Sequence, residues 1–129
     1  MELMEIIENS ELEPKNLTVE ELFHIVLYEL SFSFKAQGTL FLEEMFSIAY
    51  DRYENSSDLE IMKLCAEIAK KHNTNAVYVS RAVTYSITSA WNRAKPDLKN
   101  ELFSSIIDPS VGKPSVQIFL SFMMEFFKL

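Results

Sequence analysis

Two glycines in 129 residues constrain this chain more than any other feature. Sheet proteins draw on glycine for tight turns with positive φ. Two glycines and four prolines cannot serve a turn-dense β fold. No segment shows sustained alternation of apolar and polar residues, whereas helical spacing recurs along most of the chain. The expectation is an all-α domain of about six helices, with 48% apolar residues supplying its core.

Thr18-Val19-Glu20-Glu21 has the form of a capping box, in which hydroxyl and carboxylate satisfy reciprocal backbone donors. Leu22, Phe23, Val26, Leu27 and Leu30 then mark an amphipathic helix to about Phe32. Gly38 and Thr39 read as a break and a new N-cap. A second stripe follows through Leu42, Met45, Phe46, Ala49, Tyr50 and Tyr53. A third helix, from about Leu59 to His72, is expected to bury Ile61, Met62, Cys65, Ile68 and Ala69.

The polar link Lys70 to Asn75 leads straight into a fourth helix capped by Thr74 or Asn75. At ~100° per residue, Ala76, Val79, Val83, Ser86, Ile87 and Ala90 share one side of it. Tyr78, Arg81, Tyr85, Thr88 and Asn92 share the other. Pro96 opens a helix expected to reach Ile107, and Asp108 to Pro114 reads as a loop. The last helix, from Ser115, is apolar almost all round. Residues 1–17 read as an acidic arm or short helix, and 18–129 as the folded domain.

Net charge is −7, but unevenly spread. Residues 1–66 hold 14 acids against 4 bases, whereas residues 67–95 hold one acid against five bases. That basic island coincides with the pair of helices at about 59–92. Two helices joined by a short polar turn, the second with a polar outer face, form a helix-turn-helix pattern.

The residues at this junction resemble a known family. The matching motifs are Gly38-x-Leu40-x-Leu42-x-Glu44-x-x-Ser47-x-x-Tyr50, Ile68-Ala69-Lys70-Lys71-His72-Asn73-Thr74, Val79-x-Arg81-Ala82, Ala90-Trp91-x-Arg93 and Lys113-Pro114-x-x-x-x-Phe119. From about Leu22 onward the chain is similar to the C-terminal DNA-binding effector domain of the master sporulation response regulator of endospore-forming bacteria. The resemblance implies a six-helix domain with a helix-turn-helix, binding to short promoter boxes, head-to-tail pairing on tandem boxes, and a recognition helix over Asn75–Trp91. The sequence departs from the family where bases are read. Tyr78 and Ser80 stand where the family has an Arg and a Glu, and Thr84 and Tyr85 replace an Arg-His pair. Arg81, a backbone-contacting position by resemblance, stays basic, and Ala66 replaces a proline. Residues 1–17 are too short for the receiver domain that precedes this module in the family. Regulation is therefore expected through abundance or a partner.

Two functions follow. In the first, a DNA-binding transcription regulator of altered specificity uses Lys70, Lys71, Arg81, Arg93, Lys95 and Lys113 on phosphates. Thr74 and Asn75 donate to a phosphate at the helix start, and Tyr78, Ser80, Thr84 and Tyr85 face the bases. In the second, a protein-interaction module has lost specific reading and dimerises or modulates a related regulator. Its interface would use Phe119, Phe122, Met123 and Phe126 of the last helix. Partners are thus double-stranded DNA, or a second chain through the C-terminal helix, and no membrane.

No enzyme, metal or cofactor is expected. Glu20-Glu21 and Glu43-Glu44 are sequence neighbours that diverge on a helix. His24 and His72 lack further ligands at metal spacing. Cys65 lies on an apolar stripe, and Trp91 reads as a core anchor. One cysteine, an acidic N-terminus and no long apolar run lead to the expectation of a cytoplasmic protein.

Overall fold

The computed structural model describes residues 17–103 and 112–128. Among these it contains α-helices and one 3-10 turn, with no strand. In chain order the helices are α1 (Val19–Glu29), α2 (Gln37–Arg52), α3 (Ile61–Lys71), α4 (Ala76–Arg93), α5 (Pro96–Phe103) and α6 (Val116–Phe127). The 3-10 turn, Ser56–Asp58, joins α2 to α3. The arm over residues 1–16, the expected extension of α5 to Ile107 and most of the 108–114 loop lie outside the described residues.

Helix starts follow local chemistry. The Thr18 hydroxyl accepts from the Glu21 amide at 3.1 Å while Glu21 Oε1 accepts from the Thr18 amide at 3.3 Å, closing the capping box. Asn75, rather than Thr74, caps α4, its Oδ1 accepting from the Tyr78 amide at 2.9 Å. Ser115 caps α6 in the same way.

Helix ends use a different device. α1 stops in a Schellman motif: Ser31 adopts φ 69°, the Phe32 amide donates to the Leu27 carbonyl, and the Ser31 amide donates to Tyr28. α3 ends on Asn73 at φ 56°, with the Thr74 amide donating to the Ala69 carbonyl at 2.9 Å. Asparagine tolerates the left-handed region better than most residues, so this turn suits its sequence.

α4 packs along both α2 and α3 and forms the centre of the domain. Gly38 is no break. It lies inside the first turn of α2, buried, where a Cβ would collide with the Ala82 carbonyl and the Ser86 hydroxyl of α4. Glycine here permits close approach of two helices, and α2 accordingly begins at Gln37 behind the N-cap residue Ala36. On α3, Leu64, Cys65, Ile68 and Ala69 are buried, whereas Met62, expected inside, is exposed. Burial pushes the Cys65 thiol pKa up.

α6 closes the core. Phe119 lies against Phe32 and Phe103 at ring distances of 5.6 and 5.8 Å, and Phe122 reaches Phe103 at 5.0 Å. The Tyr50 hydroxyl donates to the Phe127 carbonyl, and Ser56 donates to Glu125. Glu43 and Glu44 diverge as adjacent helical residues must, and each meets a histidine. His24 of α1 lies 2.8 Å from Glu43, and His72 at the end of α3 lies 2.8 Å from Glu44.

Candidate nucleic-acid interface

The polar link at 72–75 is stiff because both sides of it are hydrogen-bonded. The Ala69 carbonyl holds the Thr74 amide, and the Asn75 side chain holds the Tyr78 amide. α4 therefore leaves α3 in a fixed direction, with Val79, Val83, Ser86, Ile87, Ala90 and Trp91 buried and Ala76 half-buried. Trp91 packs edge-on against Phe103 at 5.2 Å, and the Lys99 ammonium lies over its indole at 5.3 Å.

The outward face of α4 centres on Arg81, flanked by Val77, Thr84 and Tyr85, all exposed. Tyr85 is 70% exposed and Tyr78 46%. The four residues expected to face bases do not share one direction. Tyr78 and Ser80 lie roughly 160° apart around the helix axis. Ser80 is half-buried. Tyr78 is drawn toward α2, its hydroxyl donating to Gln37 Oε1 at 2.8 Å and its ring edge-on to Phe41. Thr84 and Tyr85 remain on the outer face with Arg81.

Lys70, Arg81, Lys95 and Lys113 are exposed and have no ion-pair partner among the described residues. The Lys71 ammonium lies 3.9 Å from Glu44. Lys113 lines a cleft of about 300 Å³ with Thr84 and Ile87 of α4 and Ser115 and Val116 at the start of α6, which brings it beside the outer face. Lys70 and Lys71 flank the other end, at the last turn of α3. Thr74 is half-buried with its amide spent on Ala69, and the Asn75 oxygen is spent on the cap. Arg93 also has a task within the fold: Nε and Nη2 donate to the Ser31 carbonyl at 3.2 and 2.7 Å, bracing the left-handed turn after α1.

The expected interface on α6 needs correction. Phe119 is 1% exposed and Met123 0%, both consumed by the chain's own core, while Phe122 and Phe126 are half-buried. Burial in the chain's own core accounts for Phe119 and Met123. The signal that could have distinguished the two is the abundance of phenylalanine on neighbouring elements, Phe32 and Phe103, which cover it.

Two features escape sequence reading. Arg93 braces Ser31 across 62 residues. The small residues Ala82, Ser86 and Ala90 recur at four-residue spacing on α4, a pattern that marks where another helix can come close. Among the described residues no three His, Cys, Asp or Glu side chains converge as metal ligands, and no helix is long and apolar enough to cross a membrane. Residues 23–126 match the family model described as Sporulation initiation factor Spo0A C terminal.

Proposed function

The chain belongs to the Spo0A C-terminal family, a family of DNA-binding effector domains, and from that premise we propose that it is a transcription regulator with altered base preference. α4 enters the major groove with Arg81 at the centre of its exposed face. Lys70 and Lys71 on one side and Lys113 on the other neutralise phosphates, with Lys95 further along. Thr84 and Tyr85 offer hydroxyls and an aromatic edge to the bases. None of them reproduces a bidentate arginine–guanine contact, whose discrimination is about 1–3 kcal/mol. The operator of the family is therefore not the preferred site of this chain.

The observation that carries this reading is the placement of Arg81, Thr84 and Tyr85 on one exposed face between Lys70 and Lys113, in a chain otherwise strongly acidic. A titration against duplex DNA at several salt concentrations tests it. With Arg81 also on a phosphate, the five contacts give a log–log slope of about −4.5, at about −0.9 per contact. A slope near zero contradicts it.

A second reading, an interaction module acting on a related regulator, is supported by the 70% exposure of Tyr85, since exposed tyrosines serve protein interfaces as well. It draws no support from Phe119 and Met123. Saturable binding to such a regulator with no DNA binding would favour it over the first.

A further inference from the structure

The outward stripe of α4 holds one residue that stands apart from the polar set around it. Val77, in the first turn, is 52% exposed. It lies roughly 40° from Arg81 and 20° from Thr84 around the helix axis, so the three share one line along the helix. Tyr78, its neighbour, is turned about 100° away and is tied to α2 through Gln37 and Phe41. Ala76 is half-buried and Val79 buried, so Val77 is the first-turn side chain that points out with Arg81.

Packing among the described residues does not account for it. Ala76, Val79 and Ala82 around it belong to the core or pack against it, and Val77 does neither. Single exposed apolar side chains are common on protein surfaces. A β-branched one on an exposed helical position is a different matter, because it lowers helix propensity without adding burial. Its surroundings are cationic, with Arg81 one turn on and Lys70 and Lys71 in the last turn of α3. Cations around an apolar contact suit a nucleic acid better than an apolar protein face.

We infer that Val77 is a specificity-determining residue that reads a thymine through its 5-methyl group. This rests on the DNA-binding reading above and adds the base selected. Recognition helices of helix-turn-helix domains meet base edges with their N-terminal residues. An isopropyl group has neither donor nor acceptor, and the thymine methyl is the one apolar group on the major-groove edges of the four bases. Cytosine at the same place presents an amino donor, and a purine presents N7 beside O6 or an amino group, each left without a partner against Val77.

The test selects a preferred duplex from a randomised pool with the full chain, then replaces each thymine of that duplex by uracil, one position at a time. The exchange deletes a methyl group and leaves base pairing unchanged. One position is expected to lose about fourfold in affinity, the effect of one buried methyl group. Val77→Ser alters an exposed site, and at that position it should bind thymine and uracil duplexes alike, with the unmodified chain's affinity for the uracil duplex. Thr84→Ser, which deletes only a methyl group, should keep the difference. A duplex indifferent to every exchange, a difference that survives Val77→Ser, or one abolished by Thr84→Ser overturns Val77 as the reader while DNA binding stands. A chain that selects no duplex and shows no salt-dependent binding refutes the regulator reading, and the role of Val77 with it.

Discussion

Gly38 lies against the main-chain carbonyl of Ala82, and that contact fixes how closely α2 approaches α4. α4 is held against α2 along this rear face.

Gly38→Ala is expected to destabilise the domain by about 1–3 kcal/mol, the ordinary range for overpacking, because the obstacle is backbone rather than a flexible side chain. Gly112→Ala, with nothing within 4 Å of the added carbon, is the matched control and should stay within about 0.5 kcal/mol. Denaturant unfolding of both variants checks the difference.

Ser31 holds a left-handed conformation that costs an L-residue with a side chain about 1–2 kcal/mol. Ser31→Gly removes that strain and retains the carbonyl on which Arg93 rests. A stability gain of about 1 kcal/mol by thermal or chemical unfolding is the expected outcome, partly offset by the greater freedom of glycine when unfolded.

Thr39→Val and Ser86→Ala each delete a buried hydroxyl that has no partner. Neither change should destabilise the domain in denaturant unfolding, and a gain approaching ~1 kcal/mol is consistent with the cost of an unpaired buried donor.

Arg52 grips Glu67 through two hydrogen bonds of 2.6 and 2.8 Å, joining α2 to α3, and holds that carboxyl below the usual carboxylate range. A depressed folded-state pKa contributes stability above the ordinary carboxylate range and loses it as pH falls through the folded midpoint. An NMR pH titration should find the Glu67 midpoint below ~4.3, the ordinary glutamate value, and Arg52→Gln should return it toward that value. The pair is on the surface, so the effect on melting temperature is small.

Much of the fold was legible because helix signals are local. The Thr18–Glu21 box, the Ser115 cap and the buried stripe of α4 each depend on residues within a few turns, and each appears where its spacing placed it. What stayed hidden is set by distant residues. Glycine before threonine at 38–39 imitates a helix start, and only Ala82, 44 positions on, gives the true reason. Arg93 looked like a free cation until Ser31 claimed it. Phe119 and Met123 looked available because an all-apolar helix cannot say which neighbours cover it. Tyr78 and Ser80 were grouped by resemblance, yet two positions apart on a helix they point to opposite flanks. The outward placement of Arg81 and Tyr85 is readable from period alone, whereas Thr84 enters only through the resemblance.

The most direct measurement of the central claim is the salt dependence of DNA binding for Arg81→Ala beside the unmodified chain. If Arg81 sits on a phosphate at the centre of the docking face, the variant weakens binding about equally on unrelated duplexes, and its log–log slope is shallower by about 0.9. An unchanged affinity and slope would mean that this face of α4 does not meet DNA.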